Sequence, residues 1–120
     1  MTYKFSYEKM RMWSDVRMYI KSVYEITNTF PLNEKFGLTQ QLRRAAVSVL
    51  SNIAEGLSRK TEKEKQRFIE ISYGSLMETN AQLIIAVDLM YINEEQYYKL
   101  KEDLLKISNQ LNALNKSLQE

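Results

Sequence analysis

Turn punctuation is almost missing from this sequence, whose one proline and three glycines are Pro31, Gly37, Gly56 and Gly74. No stretch reads as a strand bounded by turn residues on both sides, so helix is the default for nearly every segment. Trp13, Val16, Ile20, Val23 and Thr27 fall at i, i+3, i+7, i+10 and i+14, which predicts a first helix over about residues 9–29. Phe30-Pro31 closes it, because a residue before proline is pushed out of the α region. Thr39 is a suitable cap for a second helix over about 39–55, with Gly56 as a left-handed stop. Thr61-Glu62-Lys63-Glu64 has the form of a capping box and opens a third helix, about 62–90; Asn93-Glu94-Glu95-Gln96 repeats the signal for a fourth, about 94–119.

The fourth helix carries the clearest pattern. Tyr97, Leu100, Leu104, Ile107, Leu111, Leu114 and Leu118 alternate spacings of three and four, the seam of a helix packed at a shallow angle on its neighbours. Short connections favour antiparallel neighbours, so the expected architecture is all-α: an antiparallel up-down-up-down four-helix bundle in a single domain, 1–120. A chain of 120 residues buries a continuous core without metal or disulfide.

Two helices carry more apolar surface than one bundle hides. On the second, Leu38, Leu42, Ala45, Ala46, Val49 and Ile53 form the inward stripe, while Val47 and Ala54 lie roughly opposite. On the third, Phe68, Ser72, Ser75, Thr79, Leu83, Ala86 and Met90 share one face, and Tyr73, Met77, Ile84 and Tyr91 a second. A helix apolar on two sides is buried on two sides. Self-association through Val47, Ala54, Tyr73, Met77 and Ile84 is the expected remedy; cover by loops or by the N-terminal Tyr3, Phe5 and Tyr7 is the alternative.

Cysteine and histidine are absent, which removes thiolate and imidazole ligands and the usual nucleophile–base pairs. No metal or cofactor is expected. Glu55 and Glu78 are the one candidate pair for acid–base work, and no nucleophile, metal-ligand spacing or phosphate cradle accompanies them. The preferred reading of Arg44, Asn52, Glu55, Ser75 and Glu78 is a buried structural network of an arginine, two carboxylates, a carboxamide and a hydroxyl that fixes helix register. No enzymatic activity is expected.

Residues 1–60 hold ten Lys or Arg against five Asp or Glu, and residues 61–120 seven against ten. That asymmetry fits a polyanion-binding face, or two halves that attract each other. Arg43, Arg44, Arg59, Lys60, Lys63, Lys65 and Arg67 are the candidate nucleic-acid contacts, and affinity through such charges falls steeply with salt. Met1 to Met10 lacks the apolar core of a signal peptide. The longest apolar run, Ala81 to Ile92, contains Gln82 and Asp88 and stops short of the ~20 residues a membrane span needs. The expected location is the cytoplasm, away from membranes.

Phe30-Pro31-Leu32-Asn33-Glu34-Lys35-Phe36-Gly37-Leu38, Gln41-Leu42-Arg43-Arg44-Ala45-Ala46-Val47-Ser48-Val49 and Asn52-Ile53-Ala54-Glu55-Gly56 together resemble the signature of the 23S rRNA intervening-sequence proteins, also called four-helix bundle proteins. Trp13, Val23-Tyr24 and Gly74-Ser75-Leu76 with Glu78 extend the match over nearly the whole chain. Leu50 departs from it, since the family usually has proline there, which leaves a local kink open. The resemblance implies a homopentameric ring of antiparallel bundles without catalytic activity. Members resemble products of reading frames inserted in bacterial large-subunit rRNA genes, and a related group serves diversity-generating retroelements by binding a reverse transcriptase and nucleic acid. The expected function is therefore an RNA- or DNA-associated oligomeric bundle; the alternative is a protein–protein adaptor or scaffold with no nucleic-acid contact. Binding of RNA that weakens sharply with salt separates the two.

Overall fold

A computed structural model describes residues 3–119, within which the chain is all-α, with four helices and no strand. The helices are α1 (Arg11–Thr27), α2 (Leu38–Leu57), α3 (Glu62–Asp88) and α4 (Glu94–Gln119), with short 3-10 turns at Ser6–Lys9 and Leu32–Glu34. They enclose one core. Val16, Tyr19, Val23, Leu42, Val49, Ile53, Leu76, Leu83, Ile107 and Leu111 are inaccessible to solvent. Contacts run from α1 to α2, α2 to α3, α3 to α4 and α4 back to α1, and α2–α3 is the most extensive pair.

Both ends of α1 lie inside the expected 9–29. Met10 is extended (φ −74°, ψ 142°) behind the 3-10 turn, so the helix starts at Arg11. At the other end Thr29 and Phe30 donate to Ile26 and Thr27 in tight turns that lead into Pro31. The two acidic-turn signals mark real helix starts. The Asn93 carboxamide accepts from the Gln96 N–H at 2.8 Å while Gln96 Oε1 accepts from the Asn93 N–H at 2.9 Å, a complete reciprocal box. At α3 the Thr61 hydroxyl accepts from the Glu64 N–H at 3.1 Å and donates to the Glu64 carboxylate instead of to a backbone group.

Gly56 corrects the expectation of a left-handed stop. It lies inside α2, is buried, and no described glycine has positive φ. A Cβ there would fall 2.7 Å from Phe68 Cβ. Its role is close approach of α2 to α3. Small and hydroxyl residues continue that approach: the Ser72 hydroxyl donates to the Val49 carbonyl at 2.7 Å, and the Ser48 and Ser75 hydroxyls meet at 2.9 Å. α2 runs unbroken through Leu50. The left-handed stop falls instead at Met90 (φ 62°). Its N–H reaches the Val87 carbonyl and the Tyr91 N–H the Ala86 carbonyl, each at 2.9 Å, the paired closure of a Schellman end.

Candidate oligomer face and nucleic-acid interface

The outer side of the α2–α3 pair carries several of the expected site residues, Arg44, Glu55, Arg67 and Glu78 among them. Along α3 the positions left open recur at alternating steps of four and three: Arg67, Ile71, Gly74, Glu78, Ala81, Ile85 and Asp88, all exposed. Ile71 keeps 42% and Ile85 45% of its surface, and a Cβ on Gly74 would meet nothing within 4 Å. On α2, Arg44, Val47, Ser51 and Glu55 are exposed, with Ser48, Asn52 and Ala54 half-buried; Arg44 and Ser48 share a groove with Glu78 of α3, and Val47 and Ser51 one with Tyr24 of α1. Four small or apolar positions, Ile71, Gly74, Ala81 and Ile85, therefore form a stripe in water on α3.

Of the expected interface set, Val47 (40%) and Ile84 (42%) are exposed. Tyr73 and Met77 are turned inward instead. Both are half-buried and pack on the core; Tyr73 lines a small crevice with Ile69, Leu111 and Asn115, and its hydroxyl lies 3.5 Å from that of Ser108 on α4. Tyr91 is likewise occupied, donating to Glu34 at 2.7 Å and tying the two connections together. The N-terminal aromatics do not cover the α2–α3 face. Ser6–Lys9 packs on α1, and Tyr3 and Phe5 remain 73% and 55% exposed.

The expected buried network is not assembled within this chain. Arg44, Glu55 and Glu78 are all exposed. Asn52 donates to the Ser48 carbonyl and hydroxyl at 2.8 and 2.9 Å, and through Ser48 it reaches Ser75. Glu55 sits 3.8 Å from Arg59, and Glu78 accepts from Gln82 at 3.3 Å. Arg44 and Glu78 line one shallow groove with Gln41, Ala45 and Ser48 without an ion pair among the described residues. A buried charge requires a partner and an exposed one does not, and Arg44, Glu55 and Glu78 are in water within one chain.

Three of the seven basic candidates are engaged. Arg43 holds the end of α1: its Nε donates to the Thr27 hydroxyl at 2.8 Å, a terminal nitrogen donates to Asn28 Oδ1 at 2.9 Å, and its guanidinium lies 4.6 Å from the Tyr24 ring centroid. A cation at the carbonyl end of a helix is favourable there. Arg59 covers the Phe68 ring at 4.7 Å, and Lys65 pairs with Glu62 at 3.3 Å. Arg44, Lys60, Lys63 and Arg67 are exposed and make no salt bridge among the described residues.

Among the described residues, no group of three or more His, Cys, Asp or Glu is placed to hold a metal ion, and no helix is long and apolar enough to cross a membrane. Glu55 and Glu78 have separate partners, and neither lies in an enclosed cleft with the other.

The model of the 23S rRNA-intervening sequence protein family matches residues 8–113. A crystal structure of a protein of unknown function from the S23 ribosomal protein family of Bacteroides thetaiotaomicron has the same fold, with a TM-score of 0.80 at 19% identity over 88% of this chain and 98% of that one. Among curated proteins no significant match was found.

Proposed function

We propose that this chain, which belongs to the 23S rRNA-intervening sequence protein family, works without catalysis as a ring of identical antiparallel bundles, five in number, that holds nucleic acid in the cytoplasm. The observation that carries this reading is the stripe of Ile71, Gly74, Ala81 and Ile85 on α3, open to water beside the polar strip of α2. A second copy covers that stripe and at the same time removes Arg44, Glu55 and Glu78 from water, where an arginine and two carboxylates pair across the contact.

Hydrogen bonds between helices support the up-down-up-down course. Ser48 meets Ser75, while Gly56 at the end of α2 meets Phe68 near the start of α3. Tyr97 at the start of α4 donates to Asn80, and Gln66 near the start of α3 donates to the Leu118 carbonyl. Gln110 donates to Asp15 on α1 at 2.9 Å. The start of α1, the α2–α3 connection and the end of α4 therefore share one end of the bundle. Lys60, Lys63 and Arg67 lie at that end, and a ring repeats them once per subunit, so weak phosphate contacts add.

Binding of labelled RNA across a salt series, read beside the mass of the protein, tests this reading. An assembled protein whose affinity falls steeply with salt supports it, and an assembled protein that ignores RNA supports the adaptor reading. Arg43, Arg59 and Lys65 favour that second reading to the extent that their charges are spent inside the chain.

A further inference from the structure

Ahead of α1 lies a run of rings with no counterpart elsewhere among the described residues. Tyr3 meets Phe5 edge-on with centroids 5.2 Å apart, Phe5 and Tyr7 lie parallel to within 1° at 5.8 Å, and Tyr7 meets Trp13 at 4.9 Å. The ladder ends against the core at half-buried Trp13 and in water at Tyr3, where nearly three quarters of the surface is uncovered. Its backbone is held: the Phe5 N–H donates to the Glu8 carboxylate at 2.9 Å, and the Glu8 and Met10 N–H groups close turns onto Phe5 and Tyr7. Large apolar rings fixed in water are costly unless something stacks on them.

Charge says what that is. Lys4, Lys9 and Arg11 flank the rings, are exposed and make no salt bridge among the described residues, whereas Glu8, the one acid of the segment, is turned onto the backbone. Aromatic faces interleaved with unpaired cations are the arrangement that holds unpaired bases by stacking and their phosphates by charge. An apolar peptide has no use for the cations, and duplex RNA hides its base faces. We infer that the ladder of Tyr3, Phe5 and Tyr7 is a stacking platform for single-stranded nucleic acid. The inference rests on the nucleic-acid reading above and assigns it a place, since these three rings precede residue 8, where the family match begins.

The test uses the full chain with two fluorescent probes: an oligouridylate about a dozen nucleotides long and an RNA duplex of the same length. Replacing Tyr3→Ala and Phe5→Ala together weakens oligouridylate binding by about tenfold or more and leaves duplex binding unchanged, while Tyr3→Phe keeps the wild-type affinity. Trp13, the one tryptophan, changes fluorescence as oligouridylate binds. Both residues are exposed, so circular dichroism stays as in wild type. Equal loss on both probes, no loss on either, or a change in assembly mass caused by the alanines overturns the platform; the last assigns the rings to a second copy. If wild type binds RNA and only Lys60→Glu with Lys63→Glu abolishes it, the platform falls and the nucleic-acid reading stands. If wild type binds neither probe, both fall.

Discussion

Tyr19 on α1 and Thr79 on α3 meet through their hydroxyls at 2.8 Å in the sealed core. The Thr79 proton is already given to the Leu76 carbonyl at 2.6 Å, so Tyr19 donates and Thr79 accepts. Burial pushes the Tyr19 phenol up from its ordinary 10.0 to about 12. A phenol harder to ionise in the folded chain contributes stability that is whole below the unfolded value and is lost as pH rises from 10.0 towards about 12. In a tyrosinate absorbance titration of the eight tyrosines, a late phase is expected, to which Tyr91, raised by its bond to Glu34, also contributes, and Tyr19→Phe diminishes it by one tyrosine. That substitution also lowers stability by about 1 kcal/mol in urea unfolding at neutral pH.

Gly56→Ala puts a methyl group 2.7 Å from Phe68 Cβ and 3.4 Å from the Lys65 carbonyl. Helix propensity alone would make alanine stabilising, but the α2–α3 contact has no room to take it. A loss of about 1–3 kcal/mol is expected, read as an earlier urea midpoint. An unchanged or later midpoint contradicts the close-approach role.

Met90 holds a left-handed conformation with 88% of its side chain in water. A side chain with a Cβ pays about 1–2 kcal/mol there, partly offset by the flexibility glycine adds to the unfolded chain. Met90→Gly is therefore expected to raise stability by about 0.5–1 kcal/mol, with no packing lost. Thermal unfolding followed by circular dichroism checks it.

Arg43 and the Lys60–Lys63 pair separate fold from binding. Arg43→Ala frees the end of α1 and costs about 1 kcal/mol of stability, while RNA affinity stays near wild type. Lys60→Glu with Lys63→Glu reverses two exposed charges, leaves unfolding unchanged, and abolishes RNA binding at moderate salt. Loss of affinity in Arg43→Ala without loss of stability would return Arg43 to the binding surface.

Helix placement was largely legible because its signals are local. Asn93 with Gln96, and Thr61 with Glu64, report helix starts through groups three residues apart, and the Tyr97 to Leu118 seam reports a buried side through spacing alone. A glycine that closes a helical pattern predicts a left-handed stop, whereas Gly56 is required by Phe68, twelve positions away and on another helix, and the left-handed residue is Met90. Tyr73 and Met77 show a related ambiguity: an apolar side chain on a second face signals burial without naming the neighbour, and within one chain both are half-buried against the core, Tyr73 beside Ser108 of α4. The exposed stripe from Arg67 to Asp88 was readable in principle from its steps of four and three, but glycine and alanine carry little weight in a hydrophobic pattern. Arg43 shows what a basic set leaves unread: a sequence gives the charge, and only the fold shows Thr27, Asn28 and Tyr24 around it.

The uncovered α3 stripe tests the assembly most directly when Gly74 is changed. In one chain Gly74→Leu meets open space and favours the helix; in a ring it enters a packed contact between copies and is costly. Sedimentation velocity of wild type and Gly74→Leu, at high and low protein concentration, is the deciding measurement. The expected result is a five-chain species for wild type and a folded, helical single chain for Gly74→Leu. A wild-type protein that sediments as one well-folded chain at high concentration would contradict the account.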